Sequence, residues 1–371
     1  MRSVNHEIEV KRGTPAILND LVAVVNNVMR PTSPQGYRME DEFPHLLGAG
    51  NAENIYYIEE DGKPVSVIAV KIWKAYLADH MISVASLGSV STLPEYRGKR
   101  YATIILERII SDLETRKASL LLVSGTRDLY KRAGCVQTGR MYAYSINRES
   151  LSAISKDGRY SVRKIVRRQE AADWILDIYN REHYRFSRDI NLMKILLDAI
   201  WFRRENWPME LFEISENGAR VAYLIGYKRG SERRSMNVME MAGSRFAIIN
   251  SLPTILNELD ADDILLRVHP TDTRLIEILD SMNCKYQVMP VQGTVRVIDP
   301  STLLAELGNL VSESGWHCSI DQNGCDFALH CDYLSAHIDA RTPSEITHAF
   351  FGSCDGCMKI DLMFTDDLNF I

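Results

Sequence analysis

The stretch that most restricts the fold runs Leu87-Gly88-Ser89-Val90-Ser91-Thr92-Leu93-Pro94-Glu95-Tyr96-Arg97-Gly98-Lys99-Arg100-Tyr101-Ala102-Thr103. Met81 to Val90 reads as a strand, with its β-branched residues and a Gly. Pro94 falls in a short turn. Ala102, Ile105, Leu106, Ile109 and Leu113 then recur three and four apart, the spacing of a helix with one apolar face. Strand, tight basic turn and helix start together suit a phosphate. The first helical N–H groups have no partner within the helix and carry partial positive charge. Gly98 lets a ligand approach the backbone, and Arg97, Lys99 and Arg100 bring three cations to it. A solvated basic turn before an ordinary core helix is the competing reading.

A chain of 371 residues is too long for one compact core and predicts two or three domains. Its net charge of −6 gives a nucleic-acid partner no electrostatic support and mildly favours a cationic ligand. No apolar run is long enough to span a membrane. Met1 to Glu7 lacks the apolar core of a signal peptide, so a cytoplasmic protein is expected. In that compartment thiols stay reduced, and the odd set Cys135, Cys284, Cys318, Cys325, Cys331, Cys354 and Cys357 argues against a disulfide framework. Cys354-Asp355-Gly356-Cys357 has zinc-ligand spacing but no second such pair, so buried reduced thiols are expected and no metal.

In chain order, Ile8 to Lys11 reads as a strand. Thr14 and Pro15 read as the N-cap and first residue of a helix through Leu18, Leu21, Val22 and Val25. Asp41 to Leu47 reads as a short helix. Ile55 to Glu59 and Val65 to Lys71 flank Asp61-Gly62, a strong hairpin signal. Leu120 to Ser124 reads as a buried strand, and Met141 to Ile146 as the strand that closes the unit. The second stretch repeats the hairpin around Asn217-Gly218. A strand follows (Met236 to Met241), then a helix (Phe246 to Leu259), a strand (Ile264 to Val268) and a helix (Arg274 to Met282). Its loop Ala242-Gly243-Ser244-Arg245 is too short and too weakly basic to cradle a pyrophosphate. A generic α/β unit with one coincidental hairpin is the alternative. In the third stretch Pro300 ends a strand, and Ser301 to Leu310 reads as a helix. Trp316 to Ile320, Phe327 to Cys331 and Ser335 to Ala340 read as strands. Thr342-Pro343-Ser344-Glu345 is a capping box. Met358 to Phe364 reads as a last strand.

The string from Leu87 to Ala102 resembles the acyl-CoA-binding segment of the GNAT (Gcn5-related) N-acetyltransferases. Arg97 and Ala102 match its two ends, and Arg100 stands where that family usually has Gly. The element order over residues 5–150 is also similar. A tandem pair with a small tail domain resembles the Eis (enhanced intracellular survival) proteins, whose third domain is sterol-carrier-like. Gly293 to Asp299 and Glu345 to Gly352 resemble words of that third domain. The resemblance implies an α/β (α+β) fold: a catalytic GNAT domain at 1–150, a degenerate copy at 151–290 and a sterol-carrier-like domain at 291–371, with mixed central sheets. It implies acetyl-CoA as co-substrate, held by Val90, Ser91, Thr92, Arg97, Gly98, Lys99, Arg100, Tyr101 and Ala102.

Acyl transfer to an amine needs a neutral amine, a donor for the thioester oxygen, an acid for the leaving thiolate and close positioning of both reactants. Tyr130, in Leu129-Tyr130-Lys131-Arg132-Ala133-Gly134, resembles the family tyrosine that faces the CoA sulfur. A phenol with a pKa near ~10 stays protonated at neutral pH. The spacing to the Gly is one residue short, and Cys135 replaces the usual Phe. The resemblance also implies an oxyanion donor at the N–H of Val90 or Ser91. The Eis resemblance implies that the α-carboxylate of Ile371 reaches the first domain's site. Phe43, Trp73, Tyr76, Asp41 and Glu42 are candidates for a cation-binding pocket. The function implied is acetylation of a primary amine of a cationic small molecule, with aminoglycoside, lysine and polyamine groups all open. A homo-oligomer is compatible with it. A non-catalytic protein that senses acyl-CoA or binds lipid is the alternative.

Overall fold

The computed structural model of the chain describes residues 8–32, 36, 38–152, 154, 158–202, 209–228, 234–324, 326–334 and 336–371. Met1 to Glu7, Cys325 and Ser335 lie outside the described residues. In chain order the strands are β1 (Lys11–Arg12), β2 (Ile55–Glu60), β3 (Lys63–Leu77), β4 (His80–Thr92), β5 (Leu120–Val123), β6 (Met141–Asn147), β7 (Tyr160–Lys164), β8 (Arg185–Phe186) and β9 (Met209–Glu216). They continue with β10 (Ala219–Lys228), β11 (Ser235–Gly243), β12 (Asp263–Val268), β13 (Tyr286–Met289), β14 (Thr294–Val297), β15 (His317–Asn323), β16 (Asp326–Tyr333) and β17 (Ala336–Ala340). The fold is α+β, with two large mixed sheets and one small antiparallel sheet.

The first sheet runs β1-β2-β3-β4-β5-β14, with β8 also on β3. The hairpin between β2 and β3 turns at Asp61-Gly62, both at positive φ, as a two-residue turn of primed type requires. Strand alternation gives the sheet two apolar faces. Tyr56, Ile58, Ile68 and Leu87 face the helix Tyr101–Thr115. Ile55, Tyr57, Val67 and Ala69 face the helix Leu18–Met29. That helix starts later than Thr14 suggests, because Ile17 N–H closes a turn onto Thr14 (3.2 Å) before the α-helix begins.

The second sheet runs β13-β6-β12-β11-β10-β9-β7. Its hairpin at Asn217-Gly218 again has both residues at positive φ. Both sheets contain an antiparallel hairpin, a third antiparallel strand and then a parallel one, β4 with β5 and β11 with β12. The second stretch therefore repeats the first in topology, as its sequence suggests.

Two strands are exchanged, which local pattern does not reveal. Met141 to Ile146, expected to close the first unit, lies in the second sheet between β12 and β13. The free edge of β5 is taken instead by β14, with Leu122 opposite Val295. Tyr144 and Ile146 are accordingly fully buried in the second core. The third sheet, β15-β16-β17, packs with the helix Pro343–Phe351 against Trp73, Val84 and Leu120 of the first sheet in one shared core. The capping box at Thr342 and Glu345 is present, and the helix stops at Gly352. Met358 to Phe364 is irregular rather than the expected strand, with Lys359 at φ +57°. Its N–H groups bond the end of the preceding helix, Met358 to Ala349 O (2.8 Å) and Ile360 to Phe350 O (2.9 Å). Contrary to the reduced-thiol expectation, Cys318 and Cys331 form a disulfide. They face each other directly across β15 and β16, which puts both sulfurs on one face.

Candidate active site

The basic loop sits where the sequence puts it. After the 3-10 turn Pro94–Tyr96, Gly98 has φ +82° and open space where a Cβ would be. Arg100 precedes the helix Tyr101–Thr115 at φ +63°, a left-handed conformation that Gly adopts without cost. Ile104 N–H makes the helix's first bond, to Arg100 O (3.0 Å), so the N–H groups of Tyr101, Ala102 and Thr103 lie before the ladder begins. The three cations are not equivalent. Lys99 Nζ pairs with both oxygens of Glu60 (2.7 and 3.0 Å) and lies over the rings of Tyr96 and Tyr101. The Tyr101 hydroxyl bonds the same carboxylate. Arg97 Nε donates to Thr92 O (3.4 Å). Arg100, with Thr103, Lys131, Arg132 and Arg296, lines a cavity of about 550 Å³ beside the helix.

Behind the loop, β4 and β5 part. Their last parallel pair is Leu87 with Val123. Beyond it β4 follows β3 to Thr92, passing a bulge in which one extra residue is fitted between Gly88 and Ser91. Ser89 takes φ +54° there, and the buried hydroxyls of Ser89 and Ser91 have no hydrogen-bond partner among the described residues. Val90 and Thr92 are half-buried. β5 turns away through Gly125.

Two sequence-predicted groups border this divergence. Tyr130, in the helix Asp128–Arg132, packs on Gly125 so closely that a Cβ there would lie 2.8 Å from its ring. Burial raises the phenol's pKa, with Arg127 opposing and Cys135 adding to the rise. Tyr130 belongs to the core on the side of the helix Tyr101–Thr115. Ile371 packs on the opposite face, with Leu46 and Val67. A Cβ on Gly88 would lie 3.3 Å from its carboxyl carbon. Gly88 is the first residue beyond the last β4 pair, and Gly125 the second beyond the last β5 pair. The gap between the strands is thus flanked by Tyr130 on one face and Ile371 on the other.

The expected aromatic and acidic pocket forms only in part. Phe43 and Trp73 both pack against the buried His45 ring (centroids 6.3 and 5.7 Å), where the core around Ile371 meets the core shared with the third sheet. Tyr76 lies under the Arg185 guanidinium (4.0 Å). Glu42 is held by Arg30 (2.6 and 2.7 Å), and Asp41 accepts from Arg38 N–H at a helix start. What the sequence reading missed is a buried cluster of Arg188, Glu240, Asp367 and Asn369. Of these only Glu240 stands out in sequence, as a single charge in an otherwise uncharged run, whereas Arg188 adjoins Asp189 and Asp367 adjoins Asp366.

Among known proteins, a family model described as an acetyltransferase (GNAT) domain matches residues 9–137. No curated protein sequence matches the chain. Solved structures share the fold. A protein of unknown function from Enterococcus faecalis V583, described as a probable N-acyltransferase, is 14% identical with a TM-score of 0.65, over 90% of this chain and 85% of that one. A GCN5-related N-acetyltransferase from Anabaena variabilis is 13% identical with a TM-score of 0.64, over 90% and 85%. Eis1 from Mycobacterium abscessus is 13% identical with a TM-score of 0.60, over 90% and 85%. Among the described residues, no helix is long and apolar enough to cross a membrane. The protein is an acyltransferase whose residues 9–137 match the acetyltransferase (GNAT) family model, a family that takes acetyl-CoA or another acyl-CoA as co-substrate.

Proposed function

We propose that this protein moves an acetyl group from acetyl-CoA to a primary amine of a cationic small molecule. The observation that carries this reading is the flanking of the β4–β5 gap by the Tyr130 phenol and the Ile371 carboxyl group. In this reading the loop Arg97 to Ala102 holds the pyrophosphate, and the cationic cavity beside Arg100 takes the nucleotide end. The pantetheine arm enters along Val90, Ser91 and Thr92. The domains divide at 1–150, 151–290 and 291–371, with a sterol-carrier-like third unit.

The Ile371 carboxylate attracts the ammonium acceptor and takes its proton, directly or through water. The neutral nitrogen attacks the thioester carbon, forming the C–N bond. An N–H at Val90 or Ser91 donates to the oxygen that becomes negative. The nitrogen then gives its second proton to water in the gap, the C–S bond breaks, and the thiolate takes the phenol proton of Tyr130, which that water restores. Holding both reactants in the gap is worth up to ~7–11 kcal/mol of barrier.

The test is thiol release from acetyl-CoA with a panel of aminoglycosides, lysine compounds and polyamines. A chain extended by three residues after Ile371 moves the carboxylate out of the gap. It should lose on the order of 10²-fold or more in kcat, with CoA affinity intact. Unchanged turnover in the extended chain removes the carboxylate from the mechanism. No thiol release with any amine points to the acyl-CoA-sensing alternative.

A further inference from the structure

We infer that Arg188 is a positioning residue, the centre of a buried clamp that fixes where the chain's terminal carboxylate lies. The inference rests on the reading that this carboxylate takes part in acetyl transfer. Arg188 follows β8, which pairs with β3 of the first sheet, and Ser187 N–H bonds Lys74 O (2.7 Å). It is therefore stitched to the sheet that holds the candidate site. Its guanidinium, wholly buried, reaches two other parts of the molecule. Nη1 and Nη2 donate to both oxygens of Glu240 on β11 of the second sheet (2.9 and 2.7 Å). Nε donates to Asn369 Oδ1 (2.7 Å) and Nη2 to Asp367 Oδ2 (3.2 Å) in the terminal segment.

The same segment is gripped a second time through Glu240. Leu368 N–H donates to Glu240 Oε2 (3.1 Å), and the Tyr223 hydroxyl donates to Oε1 (2.7 Å). The ring of Tyr179 covers the guanidinium at 3.8 Å. The side chain of Leu368 is fully buried in the second unit's core. Burial disfavours both charges, yet their mutual attraction and hydrogen bonds outweigh it, holding the Glu240 carboxyl below its ordinary pKa. A charge pair this buried has one geometry, because any other leaves a charge unpaired.

Asn369 is two residues from the end. Two residues span at most ~7 Å, so fixing Asn369 confines the Ile371 carboxylate to the region of Gly88. One side chain thus joins the first sheet, the second sheet and the tail. The degenerate second unit acquires a role in this arrangement. Its strand β11 supplies the carboxylate that anchors the first unit's terminal group.

The experiment compares Arg188→Lys and Asn369→Ala with wild type. Lysine keeps a charge beside Glu240 but loses the fork and the Nε bond. Alanine at 369 leaves the Arg188–Glu240 pair whole, so this variant tests the clamp even if Arg188→Lys does not fold. Hydrogen exchange is read on the peptide that ends at Ile371, with the β4 peptide as control. The expected result is exchange at least ~10-fold faster in the tail with β4 unchanged, and a kcat loss on the order of 10²-fold with the KM for acetyl-CoA unaltered. Tail exchange at the wild-type rate in folded variants overturns the clamp. Failure of the carboxylate reading looks different: the tail exchanges faster while kcat holds, and the extended chain also turns over normally. Loosened tails with normal kcat but an inactive extended chain also overturn the positioning role.

Discussion

Tyr130 shows at the residue scale how burial tunes a weak acid. A phenol in water has a pKa near ~10 and is protonated at neutral pH. Burial moves this one upward, which favours the neutral form. The sign matters for the pH profile. A raised pKa keeps the proton donor loaded to higher pH than a free tyrosine would. We expect kcat to show no alkaline decline from this group below about pH 10. In Tyr130→Phe we expect kcat to fall ~10²–10⁴-fold while the KM for acetyl-CoA stays near wild type. A steady-state pH series on both proteins checks the two statements together. A decline centred well below pH 10 that vanishes in Tyr130→Phe would contradict the assignment. The position of this residue was legible from a short local word. Its packing on Gly125 was not, because that contact depends on how β5 turns after Val123.

At the scale of elements, the strand–loop–helix unit carries its own strain. Arg100 holds a left-handed conformation, which costs a non-glycine residue roughly 1–2 kcal/mol. Glycine relieves this but loses more backbone entropy, about 0.5–1 kcal/mol. Arg100→Gly should therefore gain up to about 1 kcal/mol in folding stability, read by urea unfolding. The same change removes a guanidinium from the cavity shared with Lys131 and Arg132. The KM for acetyl-CoA should rise roughly fivefold, about 1 kcal/mol. A variant that is both stabler and better for acetyl-CoA would mean that the side chain faces away from the cofactor. Elements of this kind were readable because their signals are local. Asp61-Gly62, Asn217-Gly218 and the Thr342–Glu345 capping box each act within four residues, and each appears as expected. The exchanges of β6 and β14 were not readable. An alternating apolar strand fits the edge of either sheet, and only competition for the β5 edge decides which. The Arg188 cluster was hidden for the same reason, since its other members lie between 52 and 181 residues from Arg188. Neither partner carries a mark of the other.

At the scale of the whole molecule, strand exchange makes the units interdependent. Cutting the chain after residue 150 removes β14, so Leu120 to Val123 becomes a bare apolar edge. It also leaves β6 without β12 and β13, exposing Tyr144 and Ile146, which are fully buried in the whole protein. The helix that carries Tyr130 loses a support too, because Arg296 on β14 donates to Ala133 O (2.7 Å) at its end. Ile371, which packs on Gly88, is lost with the tail. A fragment of residues 1–150 should therefore aggregate or unfold without a cooperative transition, although it contains the entire basic loop. Circular dichroism melts and calorimetric titration with CoA, run beside the full chain, check this. If the fragment melts cooperatively and binds CoA as tightly as the whole protein, the exchanged strands are incidental to the first unit. If it does not, adding back residues 291–371 should restore order only in part. That segment returns β14 and the tail, while β6 still lacks β12 and the tail still lacks Glu240.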